Sequence, residues 1–243
     1  MSKFNFNIDI IDNERSSLLK NTHNSKTQFD SYNESKCIDL GLPSGNLWCK
    51  YNVGVNPNEL SLPANWYGGF YAWGEIEAGK DEYSWNNYDF GNDVSSMTKY
   101  CTLNGKNYWG GEGEPDRKTT LESIDDIATI TLGKKFHIPT KKDFEELFRC
   151  TNMYWVTKYL GVEVFGSIFK SIKNDNEIFL PAGGSYFDKT YAWETHSGSY
   201  WTSSLALNSC FSAYSFNFSV SSDGEIRRDD RCRGLLIRPI MKI

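Results

Sequence analysis

Eight residues near the C-terminus constrain this chain more than any other stretch. In Ala213-Tyr214-Ser215-Phe216-Asn217-Phe218-Ser219-Val220, large apolar residues alternate with small polar ones. Successive side chains of a strand point to opposite faces, so Tyr214, Phe216, Phe218 and Val220 are expected to share one face of a half-buried strand. The runs around it, Ile178 to Gly184, Ser199 to Ser204 and Arg231 to Ile240, complete a stretch that reads as a small sheet core carrying loops. Aromatics at 15% beside 20 glycines suit short strands joined by tight turns, and long helices are expected to be few.

In chain order, Phe4, Phe6, Ile8 and Ile10 alternate with polar residues and predict a short strand with one apolar face. A lone strand cannot bury such a face, so residues 1–36 read as an attachment arm and linker. The arm either adds an edge strand to the chain's own sheet or docks on a partner protein. A folded domain over 37–243 follows. It opens on a hairpin whose turn is Leu42-Pro43-Ser44-Gly45, and Gly68 to Glu75 is expected to be an aromatic strand. Helices are predicted near Leu121 to Thr129 and from an N-cap at Thr140, the second with Phe144, Leu147 and Phe148 on one face. Met153 to Val156 and Val162 to Gly166 read as strands, with 167–170 open between strand and turn.

A net charge of −5 supplies no basic stripe, so nucleic acid is not an expected partner. No run approaches the roughly 18 apolar residues of a membrane span, and the alternating start lacks the continuous apolar stretch of a secretory signal. Six cysteines show no C-x-x-C and no zinc spacing. Buried thiols are the expected state in a chain that is not exported, with a disulfide pair as the alternative.

The ordered runs Asp39-Leu40-Gly41-Leu42-Pro43-Ser44-Gly45 with Leu47-Trp48, Asn52-Val53-Gly54, Ala72-Trp73-Gly74-Glu75, Lys99-Tyr100-Cys101, Asp125-Asp126 with Ala128, Pro139-Thr140, Phe179-Leu180-Pro181-Ala182, Tyr200-Trp201 with Ser203-Ser204, Ala213-Tyr214 and Arg238-Pro239 resemble FISUMP-type "major paralogous domain" proteins. The resemblance covers about 37–241. It implies an α+β, C-type-lectin-like fold of small antiparallel sheets, two helices and much irregular loop, preceded by an extended N-terminal arm. It also implies kinship with the variable proteins of diversity-generating retroelements. Carried over by motif, Trp201, Ser203, Ser204, Gly234, Arg238 and Pro239 would be scaffold. Display positions would fall between them, at Leu205, Leu207, Asn208, Ser209, Phe211, Tyr214, Ser221, Asp223, Arg227, Arg228, Asp230 and Arg231. The chain departs from its relatives at His137, Gly184 and Cys232, and in lacking the signal peptide or lipoprotein cysteine of surface-displayed members.

The implied function is a non-catalytic ligand-binding display module. The expected setting is a phage virion, as a head-fibre or tail-associated adhesin held by residues 1–36 to other virion proteins, contacting a bacterial surface glycan or protein through the C-terminal loops. The binding residues expected are Leu207, Asn208, Phe211, Tyr214, Asp223, Arg227, Arg228, Asp230 and Arg231, with the 227–231 run exposed and Trp201 buried. A homo-oligomer is expected, since fibres and decorations are commonly symmetric. The alternatives are a structural capsid or fibre decoration, or a bacterial cell-surface adhesin. No cofactor or metal is expected: His23, His137 and His196 show no ligand spacing. Glu114-Pro115-Asp116 looks like the E-P-N calcium motif of sugar-binding lectins but stands in a different part of the chain without its partner. Asp125-Asp126 reads as a hydrogen-bonding pair, because neighbours on a helix point about 100° apart, and Ser203-Ser204 lacks a nucleophile elbow. An enzyme of the formylglycine-generating type is the least favoured reading.

Overall fold

The alternation at 213–220 becomes the centre of a three-stranded antiparallel sheet in the computed structural model, which describes residues 36–103 and 108–243. The arm residues Phe4, Phe6, Ile8 and Ile10 lie outside the described residues. Strands β1 (Cys37–Ile38), β2 (Leu47–Cys49), β3 (Phe136–His137) and β12 (Ile240–Met241) form a four-stranded sheet in the order β1-β2-β12-β3. This sheet joins the start of the described domain to its end. Strands β4 (Thr151–Val156), β5 (Gly166–Ser171) and β6 (Glu177–Pro181) pair in sequence, and β7 (Ser185–Phe187) and β8 (Thr190–Ala192) form a hairpin. Finally β9 (Ser197–Leu205), β10 (Ser212–Ser219) and β11 (Ser222–Asp230) make the third sheet, in the order β11-β10-β9. Two α-helices, α1 (Ile127–Leu132) and α2 (Lys141–Cys150), stand among the described residues. The class is α+β, with small antiparallel sheets and long irregular connections.

Helix α2 begins where the sequence predicts. Thr140 accepts the Asp143 amide and Asp143 reaches back to the Thr140 amide at 2.7 Å, a closed capping box. Phe144 and Leu147 enter the core, whereas Phe148 stays 40% exposed at the sheet margin beside Gly224. The expected helix at 121–129 is displaced toward the C-terminus. Leu121 donates to the Ser203 carbonyl instead, and Asp126 is the N-cap of α1, accepting from Thr129 at 3.1 Å and from the Ile138 amide at 2.9 Å. Asp125, its neighbour, hydrogen-bonds Lys99 and Tyr100.

The aromatic segment 68–75 is not a strand. Its amides run to the Val53, Leu235 and Arg231 carbonyls, and Gly68 and Gly74 at φ +77° and +83° turn the chain out of any ladder. Val162 forms a tight turn with Tyr159, so pairing starts only at Gly166, and 167–170 resolves as strand within β5. The expectation of six thiols is also corrected: Cys101 and Cys210 form a disulfide spanning 109 residues.

On the core face of β10, Phe216 stacks on Phe144 with ring centroids 4.8 Å apart, and Phe169 meets both Phe216 and Phe218 edge-on. Each fully buried phenylalanine contributes about 1.5–3 kcal/mol. Val220 leaves this face at the β10–β11 turn and is exposed. A second cluster gathers Trp73, Tyr71, Tyr100 and Trp201, with both indole N–H groups satisfied by backbone: Trp73 donates to Thr202 and Trp201 to Tyr71, each at 2.7 Å. Arg238 is buried without a carboxylate. Its guanidinium donates to the Asn52 side chain and to the Cys49, Lys50 and Phe179 carbonyls at 2.8–3.0 Å, tying the terminal sheet to β6.

Candidate functional site

Because Phe216 and Phe218 face the core, the residues between them must face away. Ser215 and Asn217 therefore lie on the opposite face of β10, beside Ser199 of β9 and Asp229, Arg227 and Glu225 of β11. A trough of about 330 Å³ opens here, lined among others by Ser199, Asn217, Arg227, Asp229, Trp193 and His196.

One hydrogen-bonded chain crosses its floor. The Ser199 hydroxyl donates to Asn217 Oδ1 at 2.8 Å, Asn217 Nδ2 donates to Ser215 Oγ at 2.8 Å, and Ser215 donates to Asp229 Oδ2. Arg233 Nη1 stands 3.6 Å from the other Asp229 oxygen, with its guanidinium over the Phe187 ring. Every proton in the chain is directed toward Asp229. By valence, lone pairs on Ser199 and Asp229 and one N–H on Asn217 are left over by this chain, with Ser199 and Asn217 themselves buried. Arg227 pairs with Glu225 two residues away on the same face. Asp230, one residue on, has its carboxyl pushed up by burial, partly opposed by Arg233.

The trough wall is a bent segment. Trp193 and Thr195 hold φ of +66° and +63°, and Gly184 beneath them holds +68°. A Cβ at Gly184 would come within 2.2 Å of the Ala192 carbonyl oxygen, so only glycine fits. Positive φ at bulky residues costs on the order of 1–3 kcal/mol each and persists only where the surroundings fix it. Here they do: Thr195 donates to the Ala182 carbonyl, Gly184 to Ser197 and Val220 to His196. The result is Trp193 at the rim with 67% of its surface exposed. His196 Nδ1 lies 2.8 Å from the Glu194 carbonyl.

Beyond the β10–β11 turn a second hollow of about 330 Å³ is lined by Met153, Trp155 and residues 219–223. The two hollows share Ser219 to Ser222, so the turn is a ridge between them.

The structure does not bring the nine binding residues expected from sequence together in one hollow. Arg227 lines the trough and Asp223 the second hollow. Arg228 is exposed on the opposite face of β11, near the Tyr214 ring. Tyr214 is buried in the sheet, with Lys141 over its ring at 4.6 Å. Leu207, Asn208 and Phe211 sit in the β9–β10 connection, and Leu205 and Ser209 are buried. The run 227–230 is not a loop but the end of an edge strand, and Arg231 follows it.

Arg231 is the clearest correction, because it is fully buried. Nε donates to the Tyr88 hydroxyl at 2.8 Å and Nη1 to the Cys210 and Lys99 carbonyls at 2.7 and 3.0 Å, while Trp73 and Tyr88 flank the guanidinium. It is a core cation held by carbonyls and rings. The residues missed were Trp193, Ser199, Asn217, Asp229 and Arg233. The signal for one of them, Asn217, was the polar half of the same alternation that marked Phe216 and Phe218; Ser199 and Asp229 join it through the strand register.

Asp116 of the Glu-Pro-Asp run accepts the Tyr100 and Cys101 amides at 2.7 and 2.9 Å, so it folds the backbone at the disulfide. Among the described residues no group of three or more His, Cys, Asp or Glu side chains could hold a metal ion, and no helix is long and apolar enough to cross a membrane. Compared with known family models, curated proteins and solved structures, the chain matches none.

Proposed function

We propose that this chain is a non-catalytic recognition module of the FISUMP, C-type-lectin-like type that holds a hydroxyl-rich ligand, a glycan of a bacterial surface, in the trough between Trp193 and Asp229. The observation that carries this reading is the polarised chain Ser199–Asn217–Ser215–Asp229 beneath an exposed tryptophan. Fixed acceptors and donors suit vicinal hydroxyls, and an indole face suits the apolar face of a sugar ring. The module is displayed on a phage particle as a head-fibre or tail-associated adhesin, attached to other virion proteins through residues 1–36 and assembled as a homo-oligomer. The Cys101–Cys210 disulfide supports a working place outside the reducing cytosol.

The test is binding of the full chain to intact candidate host cells, before and after removal of surface polysaccharide, for the native sequence and for Trp193→Ala and Asp229→Asn. An anchor aromatic is typically worth 1–3 kcal/mol, so each variant is expected to bind about 10- to 100-fold more weakly with an unchanged circular dichroism spectrum. Native affinity in both variants sinks the trough as the site. Binding that survives polysaccharide removal points to a protein receptor, and no binding to any host favours structural decoration of the particle.

A further inference from the structure

A second pair of cysteines meets where the domain begins. Cys37 and Cys49 are direct partners in the β1–β2 ladder, and their sulfurs lie 2.9 Å apart. That is inside the roughly 3.5 Å at which non-bonded heavy atoms ordinarily rest. The ladder explains the approach. The Cys49 amide donates to Pro239 at 3.0 Å, away from β1, so Cys37 and Cys49 form a non-hydrogen-bonded pair. Cα atoms in such antiparallel pairs lie about 4.5 Å apart with their side chains drawn together, within the range that a disulfide bridges. The bonded pair Cys101–Cys210 has a Cα separation of 4.6 Å, the same spacing reached without a ladder.

We propose that Cys37 and Cys49 are a second disulfide site, a cross-strand clasp that closes under the same oxidising conditions as Cys101–Cys210. The two remaining cysteines do not compete. Cys232 is buried, with its thiol pushed up to about 12 by desolvation, and Cys150 stands at the C-terminal end of α2. In the closing step one deprotonated thiol attacks a sulfur of a small disulfide such as glutathione disulfide and expels one glutathione thiolate. The second cysteine thiolate then attacks the mixed disulfide and expels the other. One protein S–S bond forms, one glutathione S–S bond breaks, and both electrons and both protons end on two glutathione thiols.

The bond matters because β1 is a two-residue strand that, among the described residues, pairs only with β2. A pull transmitted along the chain from before residue 37 enters the domain at that strand. A covalent link passes the pull to β2, an interior strand of the terminal sheet, instead of peeling two residue pairs. This inference is independent of what the trough binds.

The sequence makes the test direct, since Lys36 and Lys50 bracket both cysteines with no other Lys or Arg between them. The full chain is equilibrated with glutathione disulfide, denatured without reductant, alkylated, digested with trypsin and weighed by mass spectrometry. The expected result is a Cys37–Lys50 peptide free of alkyl groups and about 2 Da lighter than its dithiol form, with Cys150 and Cys232 alkylated. In Cys37→Ser, Cys49 carries an alkyl group or a glutathione and no bond to another cysteine, while Cys101–Cys210 stays closed. Two alkyl groups on the native peptide while Cys101–Cys210 is bonded overturns the proposal, as does Cys37 or Cys49 bonded to any other cysteine.

Discussion

Replacing Arg231 with alanine separates a core role from a surface one. Nη1 carries two protons shared among the Cys210, Lys99 and Tyr100 carbonyls, so truncation strips two buried carbonyls of their donors. Each orphaned buried group costs about 1–3 kcal/mol. Tyr88 loses little, because its own proton still goes to the Trp73 carbonyl at 2.7 Å. Loss of the cation over Trp73 and Tyr88 adds on the order of 2 kcal/mol. Releasing a charge from burial gives back several kcal/mol, the term of opposite sign. The net is a destabilisation of about 3–5 kcal/mol, roughly a fifth or more of the stability of an ordinary domain. With a urea slope of about 3 kcal/mol/M, the unfolding midpoint should fall by roughly 1–1.7 M. Arg227→Ala, on the exposed face of β11, should move it by less than about 0.2 M. Midpoints measured by tryptophan fluorescence check both. If Arg231→Ala unfolds with the native protein while losing ligand binding, the burial argument is wrong and Arg231 belongs to the binding surface.

Further perturbations probe the sheet and the trough wall. Phe216→Ala removes the ring stacked on Phe144 and should cost about 3–5 kcal/mol by the same denaturation assay. Gly184→Ala drives a methyl into the Ala192 carbonyl, so it should lower cell binding at least about 10-fold through displacement of the Trp193 segment, at a stability cost of about 1–3 kcal/mol; unchanged binding would show that the bend does not position the indole. His137 has its ring pushed down to about 4 by burial and by the charge of Lys242. The unfolded chain takes up that proton near pH 6.5 and the folded one only near 4, so stability should fall as pH drops through that window; His137→Gln should flatten the slope of urea midpoint against pH. Asp126→Ala uncaps α1 and strands the Ile138 amide, and should destabilise by about 2–4 kcal/mol in urea.

What could be read from the sequence follows from the range of the interaction involved. The Thr140–Asp143 box is local, so helix α2 could be placed by its N-cap. The Asp126 cap is as local, yet the pattern predicts a helix from Leu121, six residues ahead of the start of α1 at Ile127, because what excludes Leu121 from the helix is a bond to Ser203, 82 positions away. Gly68 to Glu75 has the composition of a strand, but its donors are claimed by Val53, Leu235 and Arg231, and no local pattern encodes that. The disulfide was equally hidden, since Cys101 and Cys210 become neighbours only once the fold is complete.

The burial of two of the expected binding residues has a physical reason of its own. Aromatic and arginine residues dominate interface energetics, and that rule directed attention to Tyr214 and Arg231, both of which the structure buries. In a thin sheet the same residues also build the core, and the alternation of β10 decides between the two uses. Once Phe216 and Phe218 are assigned to the core, parity sends Ser215 and Asn217 to the opposite face, and antiparallel register sets Ser199, Arg227 and Asp229 beside them. Parity places Arg228 on the other face with Tyr214, so adjacent arginines of one charged run serve different surfaces. Arg231, beyond the last paired residue, is released from parity and turns inward to meet carbonyls at 2.7–3.3 Å. A charged run ending an edge strand is therefore not one surface patch, and its members divide by position in the ladder.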